Sequence, residues 1–124
     1  MEKAMSIIRA ALVFTLLGTG AVAAAEGFSD AQNGAIANLG AVTGTGLACG
    51  YGKVALPLKE TMVTIADHKN MDTDARVAVR EMFSKARDAA FADVGAKKSA
   101  CPNMETYSVT AQLAQVRLRD AFDE

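Results

Sequence analysis

Cys49 and Cys101 are the only two cysteines in a chain of 124 residues, and this pair most limits how the chain can fold. Most of the sequence between them has apolar residues at the three-and-four spacing of helices. A bond between them would tie the end of a Gly-rich first helix to the loop before the last helix. The two cysteines are 52 positions apart. Closing a loop of that length removes unfolded-state entropy worth about 4 kcal/mol. We predict a Cys49–Cys101 disulfide, with free thiols or intermolecular pairing as the alternatives.

The start of the chain has the pattern of a removable export signal. Lys3 and Arg9 form a basic start, Ala10–Val22 is an apolar core, and Ala23–Ala25 supplies the small residues of a cleavage site. An uncleaved anchor helix is the alternative, but the uncharged run is shorter than the roughly 20 residues that span a membrane. We therefore predict a signal peptide over residues 1–25, cleavage before Glu26, and a periplasmic or secreted location. Disulfides persist in such compartments.

The charge of the remaining chain argues against several classes of partner. Removing Glu2, Lys3 and Arg9 with the signal leaves 11 basic and 13 acidic side chains. A slightly acidic balance disfavours nucleic acid or an anionic membrane as the main partner, and no stable membrane anchor is expected after signal removal. A domain of about 100 residues buries only about 60–65% of its unfolded surface. A disulfide would therefore supply a large share of the stability of residues 26–124, which we expect to form one helical domain.

Four segments have helical periodicity, and no stretch alternates with period two for long. The predicted helices are Asp30 to about Ala48 with Ser29 as N-cap, Val54 or Ala55 to Asp67 with Pro57 in its first turn, Thr73 to Val94 capped by Asp72 or Thr73 and closed by Gly95, and Val109 to about Phe122 capped by Ser108. These segments predict an all-α fold, a compact bundle of about four helices stapled by one disulfide.

Apolar rows and glycines predict how the helices pack. In the last helix, Val109, Leu113 and Val116 form one row and Ala114, Leu118, Ala121 and Phe122 a neighbouring one, and together they predict a wide inward face. In the first helix, the pairs Gly40–Gly44 and Gly46–Gly50 lower helix stability. A helix that nevertheless contains so many glycines is typical of a face against which another backbone passes closely. A loop from Thr43 onward is the alternative.

Residues that carry catalysis are sparse. His68 is the single histidine, and it lies in a predicted polar loop with no nearby Ser or Cys, so neither a Ser-His-Asp nor a Cys-His arrangement is favoured. The chain has no C-x-x-C motif for thiol–disulfide exchange and no C-x-x-C-H motif for covalent haem. We therefore expect a protein that is not an enzyme.

Metal-binding patterns are equally weak. Zinc would need more His or Cys ligands than the chain offers near His68. Asp72 and Asp74 have the D-x-D spacing of a calcium loop but lack its Gly and its final Glu, and capping roles explain them better. The methionines are scattered and do not form a copper motif; the four considered are Met62, Met71, Met82 and Met104. We expect no cofactor and no metal.

Three aromatic residues are candidates for contact with a partner. Tyr51 lies between two glycines beside Cys49, and Tyr107 precedes the last predicted helix. Phe28 lies just before the first helix. Each has a second interpretation, since Tyr51 would also pack over the disulfide as part of the core, and the others would also be core residues. Phe122 allows the same two interpretations.

The layout resembles two groups of exported bacterial proteins. A signal peptide, about 100 further residues, an all-helical pattern and two cysteines about fifty positions apart resemble the acid-stress periplasmic chaperones of the HdeA type. The segments Cys49-Gly50-Tyr51 and Cys101-Pro102, followed by 109–113, resemble the Tai-type immunity proteins that protect bacteria from peptidoglycan amidase effectors. The spacing after Cys49 differs from theirs, so no inhibitory residue is carried over.

These observations predict a non-enzymatic exported interaction protein, such as a stress chaperone or an inhibitor or immunity protein that acts on a protein partner. The alternative is a small-molecule or lipid binder that uses a cavity between Ala- and Gly-rich helices; an enzyme or metal carrier is the weakest hypothesis. For the chaperone version, low pH would remove the negative charges, and self-repulsion would loosen the bundle. It would expose apolar residues to clients: Val79, Met82, Phe83 and Leu113.

Overall fold

The structure, a computed structural model, describes residues 27–97 and 100–123. These residues form five helices and no strand: α1 Asp30–Ala48, α2 Gly52–Ala55, α3 Leu58–His68, α4 Thr73–Ala96 and α5 Met104–Phe122. Because α2 is a single turn, the predicted all-α bundle of four helices is confirmed. The predicted signal peptide and its cleavage before Glu26 lie outside the described residues. Among the described helices, none is both long enough and apolar enough to cross a membrane.

Both ends of α1 are determined by local hydrogen bonds. Ser29 and Gln32 form a reciprocal capping box, in which each side chain bonds the other residue's backbone N–H. At the other end, Gly50 has a φ of 83°, and the N–H of Tyr51 bonds the carbonyl of Gly46 at 2.7 Å. This is the arrangement that satisfies the last carbonyls of a helix through a left-handed glycine. The alternative of a loop from Thr43 onward is wrong, because α1 continues to Ala48.

α1 packs more extensively against α4 than against any other helix. A Cβ atom at position 40 would overlap the carbonyl oxygen of Phe83, and one at position 44 would overlap that of Arg87. The expected close passage of a second backbone is therefore present at Gly40 and Gly44. The second predicted pair serves other purposes, because Gly46 lies against a side chain of α5 and Gly50 ends α1.

The predicted second helix is broken in two at Pro57. Gly52–Ala55 forms the turn α2, and α3 begins only at Leu58. Proline has no N–H for the bond that a continuous helix requires, and its ring crowds the carbonyl four residues earlier. The prediction that Pro57 lies in the first turn of one helix from Val54 or Ala55 is therefore wrong, and Pro57 occupies the cap position of α3.

The turn from α3 to α4 is held by Asn70, which has a φ of 54° and so adopts the left-handed conformation. The N–H of Met71 bonds the carbonyl of Ala66 at 3.0 Å, which ends α3 as Gly50 ends α1. The Asp72 side chain accepts a bond from the N–H of Ala75 and caps α4, as predicted. α4 continues through Gly95 to Ala96, slightly beyond the predicted end.

α5 begins five residues earlier than its predicted start at Val109. The Asn103 side chain accepts a bond from the N–H of Thr106 at 2.8 Å, so Asn103 is the N-cap and Ser108 lies inside the helix. Both residues are favourable caps. Asn103 directly follows Pro102, which makes it the first capping residue that the chain offers after the disulfide loop.

The core is one cluster shared by the described helices. Its most deeply buried large side chains are Tyr107, Ile36, Leu39 and Leu118. The second predicted row of α5 faces this core, with Leu118 fully buried and Phe122 5% exposed. The first row does not: Val109, Leu113 and Val116 point to solvent, so the prediction of a wide inward face is wrong for these three residues.

The predicted disulfide is present between Cys49 and Cys101. It joins the C-cap of α1 to the segment before α5, with Cα atoms 5.7 Å apart and a sequence separation of 52. α2, α3 and α4 therefore lie inside one covalent loop. Crosslinking a loop of this length restricts the unfolded chain far more than the folded one.

Candidate functional site

Two of the predicted contact residues, Tyr51 and Tyr107, lie together beside the disulfide. Their ring centroids are 5.4 Å apart with a tilt of 37°. The Tyr51 hydroxyl donates a hydrogen bond to the carbonyl of Pro102 at 2.6 Å. This bond joins the segment that follows Cys49 to the segment that follows Cys101. Tyr51 is half-buried and packs against the core, so its ring and hydroxyl reinforce the same junction that the disulfide closes.

Tyr107 is a buried anchor between α5 and α1. It is 1% exposed, and its hydroxyl donates to the carbonyl of Val42 at 2.7 Å. Burial raises the pKa of Tyr107 to about 12, and the backbone of Gly46, which lies beside the hydroxyl, opposes this effect more weakly. In this conformation Tyr107 presents almost no surface to a partner.

The third predicted contact residue, Phe28, lies at the opposite end of α1 from Cys49, and the helix between them is about 28 Å long. Its ring meets that of Phe122 edge-on, with centroids 5.7 Å apart. Nearby, the Gln32 side chain donates to the carbonyl of Ala121 at 3.1 Å. The structure therefore does not bring the three aromatic residues into one surface, and partner contact stays a prediction for each of them.

The outer face of α5, defined here as Val109, Leu113 and Val116, is a row of apolar side chains in solvent. Their exposed fractions are 52%, 62% and 47%. Spacings of four and three residues align them along one side of the helix over two turns. Exposed polar and charged side chains border the row: Glu105, Gln112, Arg117 and Asp120. An apolar row with a polar rim is the pattern of a protein contact surface.

A second surface feature is the groove between α3 and α4, which has a volume of about 440 Å³. Its floor is nearly buried and apolar: Met62, Ala66, Val79 and Phe83. Its rim carries Lys59 from α3 together with three cations of α4: Arg76, Arg80 and Arg87. No Asp or Glu is among the described residues that line it. A chain with slightly acidic balance thus has a locally basic groove.

The sequence does not identify this groove, because periodicity along one helix does not show which helix faces it. The signal was present, however. Arg76, Arg80 and Arg87 repeat at four and seven positions, the spacing that aligns side chains along one face of a helix. They flank Val79 and Phe83, two of the apolar residues that are expected to become exposed only when the bundle loosens. A row of cations beside an apolar row is compatible with the rim of an apolar groove as well as with a face exposed to solvent.

Chemistry around His68 is limited. The residue lines an open surface groove of about 380 Å³ together with side chains that include Glu60, Thr64, Arg119 and Asp123. Its side chain makes no hydrogen bond or ion pair with the described residues. Within the part of the chain that the structure describes, no group of three His, Cys, Asp or Glu residues is placed to hold a metal ion.

No protein-family model, curated protein or solved structure matches this chain. The resemblances to HdeA-type chaperones and Tai-type immunity proteins stay predictions. Function has to be inferred from the surfaces described above.

Proposed function

We propose that this chain is an exported, non-enzymatic interaction protein that binds a protein partner through the outer face of α5. The observation that carries the proposal is the exposure of Val109, Leu113 and Val116 on a helix that already has a complete inner row. Five residues of α5 already lie in the core: Tyr107, Ala111, Ala114, Leu118 and Phe122. The outer row is therefore not required for packing within the chain.

The size of the outer face suits a helical or groove-shaped partner. Full burial of a Val or Leu side chain contributes about 1.5–3 kcal/mol relative to exposure. Three half-exposed side chains are therefore enough for a small hot spot surrounded by polar contacts. Their spacing is that of the anchor residues with which an amphipathic helix enters a groove.

The predicted export and the disulfide support a partner in an oxidising compartment. Both versions, a chaperone for many clients or an inhibitor or immunity protein for one target, use the same outer face. The acid-release hypothesis needs one change, because Leu113 is already 62% exposed at α5. Acid would have to release Val79 and Phe83, which are 5% and 3% exposed. Dye binding with retained helix between pH 7 and 2 remains its test.

The small-molecule alternative stays untested. It was expected between Ala- and Gly-rich helices, and there the backbones of α1 and α4 meet at Gly40 and Gly44. A groove of about 440 Å³ lies along the same two helices, lined by residues that include Gly34, Ala37 and Ala86. It is an open surface groove rather than an enclosed cavity, so we do not propose this function as a second candidate.

The test compares three purified proteins spanning residues 26–124: wild type, the triple variant V109S/L113S/V116S, and the control Phe91→Ser. Phe91 is 50% exposed on α4, so the control also removes an exposed apolar side chain. Each immobilised protein is exposed to periplasmic extract of the source organism. Bound proteins are identified by mass spectrometry, and each candidate is then purified and titrated in a calorimeter.

We expect a partner that wild type and Phe91→Ser bind alike and that the triple variant binds about tenfold or more weakly, since hot-spot losses exceed about 1.4 kcal/mol. Sedimentation of each protein alone identifies the case in which the partner is a second copy. Equal binding by all three proteins, with circular dichroism unchanged, would overturn the proposal.

A further inference from the structure

We propose that the groove between α3 and α4 is a second binding site, which takes an acidic amphipathic helix from a protein partner. The site is separate from the outer face of α5 and goes beyond the function proposed above. Three observations carry it: an apolar floor, a rim of cations, and the distribution of those cations along the groove.

The floor is preformed. Met62, Val79 and Phe83 are 8%, 5% and 3% exposed, and Val63 forms a wall with 47% of its surface in solvent. A half-exposed valine beside a nearly buried floor leaves apolar surface for an occupant to cover. A preformed groove binds at lower entropic cost than one that must be ordered first.

One end of the groove is held by Arg76. Its guanidinium donates to Asp67 at 2.8 Å and to the carbonyls of Met71 and Ala66 at 2.9 Å and 3.3 Å. These bonds cross the turn that joins α3 to α4, so they fix the separation of the two helices there. Arg76 therefore serves mainly to shape the groove, and its charge is already balanced.

The other cations remain available to an occupant. Lys59 and Arg80 are exposed and make no ion pair with the described residues. Arg87 donates to Asp88 at 3.0 Å and lies 6.0 Å from the centre of the Phe83 ring. Asp88 is itself 70% exposed, so solvent screens that pair strongly.

The distribution of charge selects the occupant. Arg80 and Arg87 are separated by two helical turns, or about 10 Å along α4, while Lys59 faces them from α3. A single-headed amphiphile such as a fatty acid presents one anion at one end and would leave cations unmatched. A helix with acidic residues on both sides of an apolar row presents several anions over two turns. The groove therefore matches an acidic amphipathic helix.

The test uses a designed probe, a fluorescein-labelled, acetylated peptide of about 18 residues with a Leu row flanked by Glu, a length that spans five helical turns. A second peptide keeps the Leu row and replaces every Glu with Lys, and sodium oleate is the lipid competitor. The protein variants are K59E/R80E and the control K53E/K85E. The control makes the same change in net charge at two other exposed lysines, away from the groove.

We expect the acidic peptide to bind wild type and K53E/K85E alike, and to bind K59E/R80E at least about tenfold more weakly, because like charges then face each other. Its affinity falls between about 0.05 M and 0.5 M NaCl as the charges are screened. Equal binding of both peptides, or equal binding by both protein variants, would overturn the proposal. So would oleate binding that only K59E/R80E loses, in the absence of peptide binding, which would identify a lipid site.

The two proposals fail separately. The variant V109S/L113S/V116S leaves the groove intact and should bind the acidic peptide like wild type. Loss of peptide binding in that variant, with dichroism unchanged, would place the peptide on α5 and overturn the groove assignment. Absence of any peptide binding to wild type overturns the groove proposal and leaves the partner of α5 to be tested on its own.

Discussion

The hydroxyl of Tyr107 donates a hydrogen bond to the carbonyl oxygen of Val42, 2.7 Å away, and so joins α5 to the C-terminal half of α1. The same ring lies directly over Gly46, where a Cβ atom would overlap it. Because a glycine leaves room for the ring, a polar phenol can be buried and still be fully bonded. This junction and the disulfide lie at the same end of α1, and they hold α5 by independent means.

The burial of Tyr107 predicts a loss of stability at alkaline pH. Its pKa rises from the ordinary 10.0 to about 12, because burial disfavours the charged phenolate. Below pH 10 the phenol is protonated in both states, and the stabilisation is complete. Between pH 10 and 12 the phenol of Tyr107 ionises in the unfolded chain but not in the folded one. The free energy of unfolding should therefore fall by about 3 kcal/mol in total. Urea titrations at intervals across this range measure it.

The matched variants for that experiment are Tyr107→Phe and Tyr51→Phe. Tyr107→Phe should lower the free energy of unfolding at pH 7 by about 1 kcal/mol, through the lost hydrogen bond, and should flatten the decline between pH 10 and 12. Tyr51→Phe keeps Tyr107 and should keep that decline. If both variants decline like wild type, burial of Tyr107 is not its cause.

Close backbone contact between α1 and α4 predicts opposite effects of Ala at two glycines. Gly44→Ala should destabilise the fold by at least about 2 kcal/mol, because its methyl would overlap the carbonyl of Arg87 and only a shift of a whole helix relieves this. Gly95→Ala should instead stabilise α4 by about 0.5 kcal/mol through helix propensity, since open space surrounds it. Thermal unfolding of both variants measures the difference. A neutral Gly44→Ala would contradict the contact.

The two apolar rows of α5 predict unequal costs of truncation. Leu118→Ala removes a fully buried side chain and should cost about 2–5 kcal/mol of stability. Leu113→Ala removes one that is 62% exposed and should change stability by less than about 0.5 kcal/mol. Chemical denaturation of the two variants checks the assignment of the rows. Similar costs would mean that α5 is rotated relative to the core.

Removal of the disulfide should cost about 4 kcal/mol, because Cys49 and Cys101 close a loop with a sequence separation of 52. The variant C49A/C101A tests this by urea titration. Wild type treated with a reducing agent should move to a similar midpoint, whereas the variant should not respond to the reagent. A reductant-sensitive variant would show that the effect does not come from this bond.

The start of α5 predicts which residue acts as its cap. Asn103→Ala should lower stability by about 1 kcal/mol, since the N–H of Thr106 loses its acceptor. Ser108→Ala lies within the helix and should be neutral within about 0.5 kcal/mol. A larger loss of stability for Ser108→Ala than for Asn103→Ala would instead support the shorter helix that the sequence predicts.

The sequence predicts the helices and the covalent link better than it predicts which faces are buried. Caps and turn residues act through local bonds, so Ser29 and Asp72 can be read directly. The sequence predicts Pro57 in the first turn of a helix, a position that proline favours. The observed break at Pro57 depends instead on where the preceding turn α2 starts. Two adjacent apolar rows on α5 were indistinguishable, because only the other helices determine which row meets the core.

The surfaces that we propose for binding follow the same rule. Lys59 and Arg80 are 21 positions apart, and their approach depends on the turn at Asn70 and on the bonds of Arg76 across it. Periodicity along one helix gives the row of Arg76, Arg80 and Arg87 but not the helix that faces it. For the same reason, the outer face of α5 becomes visible only when the core is known to be complete without it.

The contact of Phe28 with Phe122 has a consequence for the connectivity of the fold. It places the two ends of the described domain side by side, and the bond from Gln32 to Ala121 fastens them there. Short spacing between ends is the geometric condition for circular permutation. A short linker could join these ends, and new termini could open at the exposed turn around Lys69 and Asn70 without breaking the contacts of α1 with α4 and α5. The fold therefore depends on which helices pack against each other and not on the order in which the chain connects them.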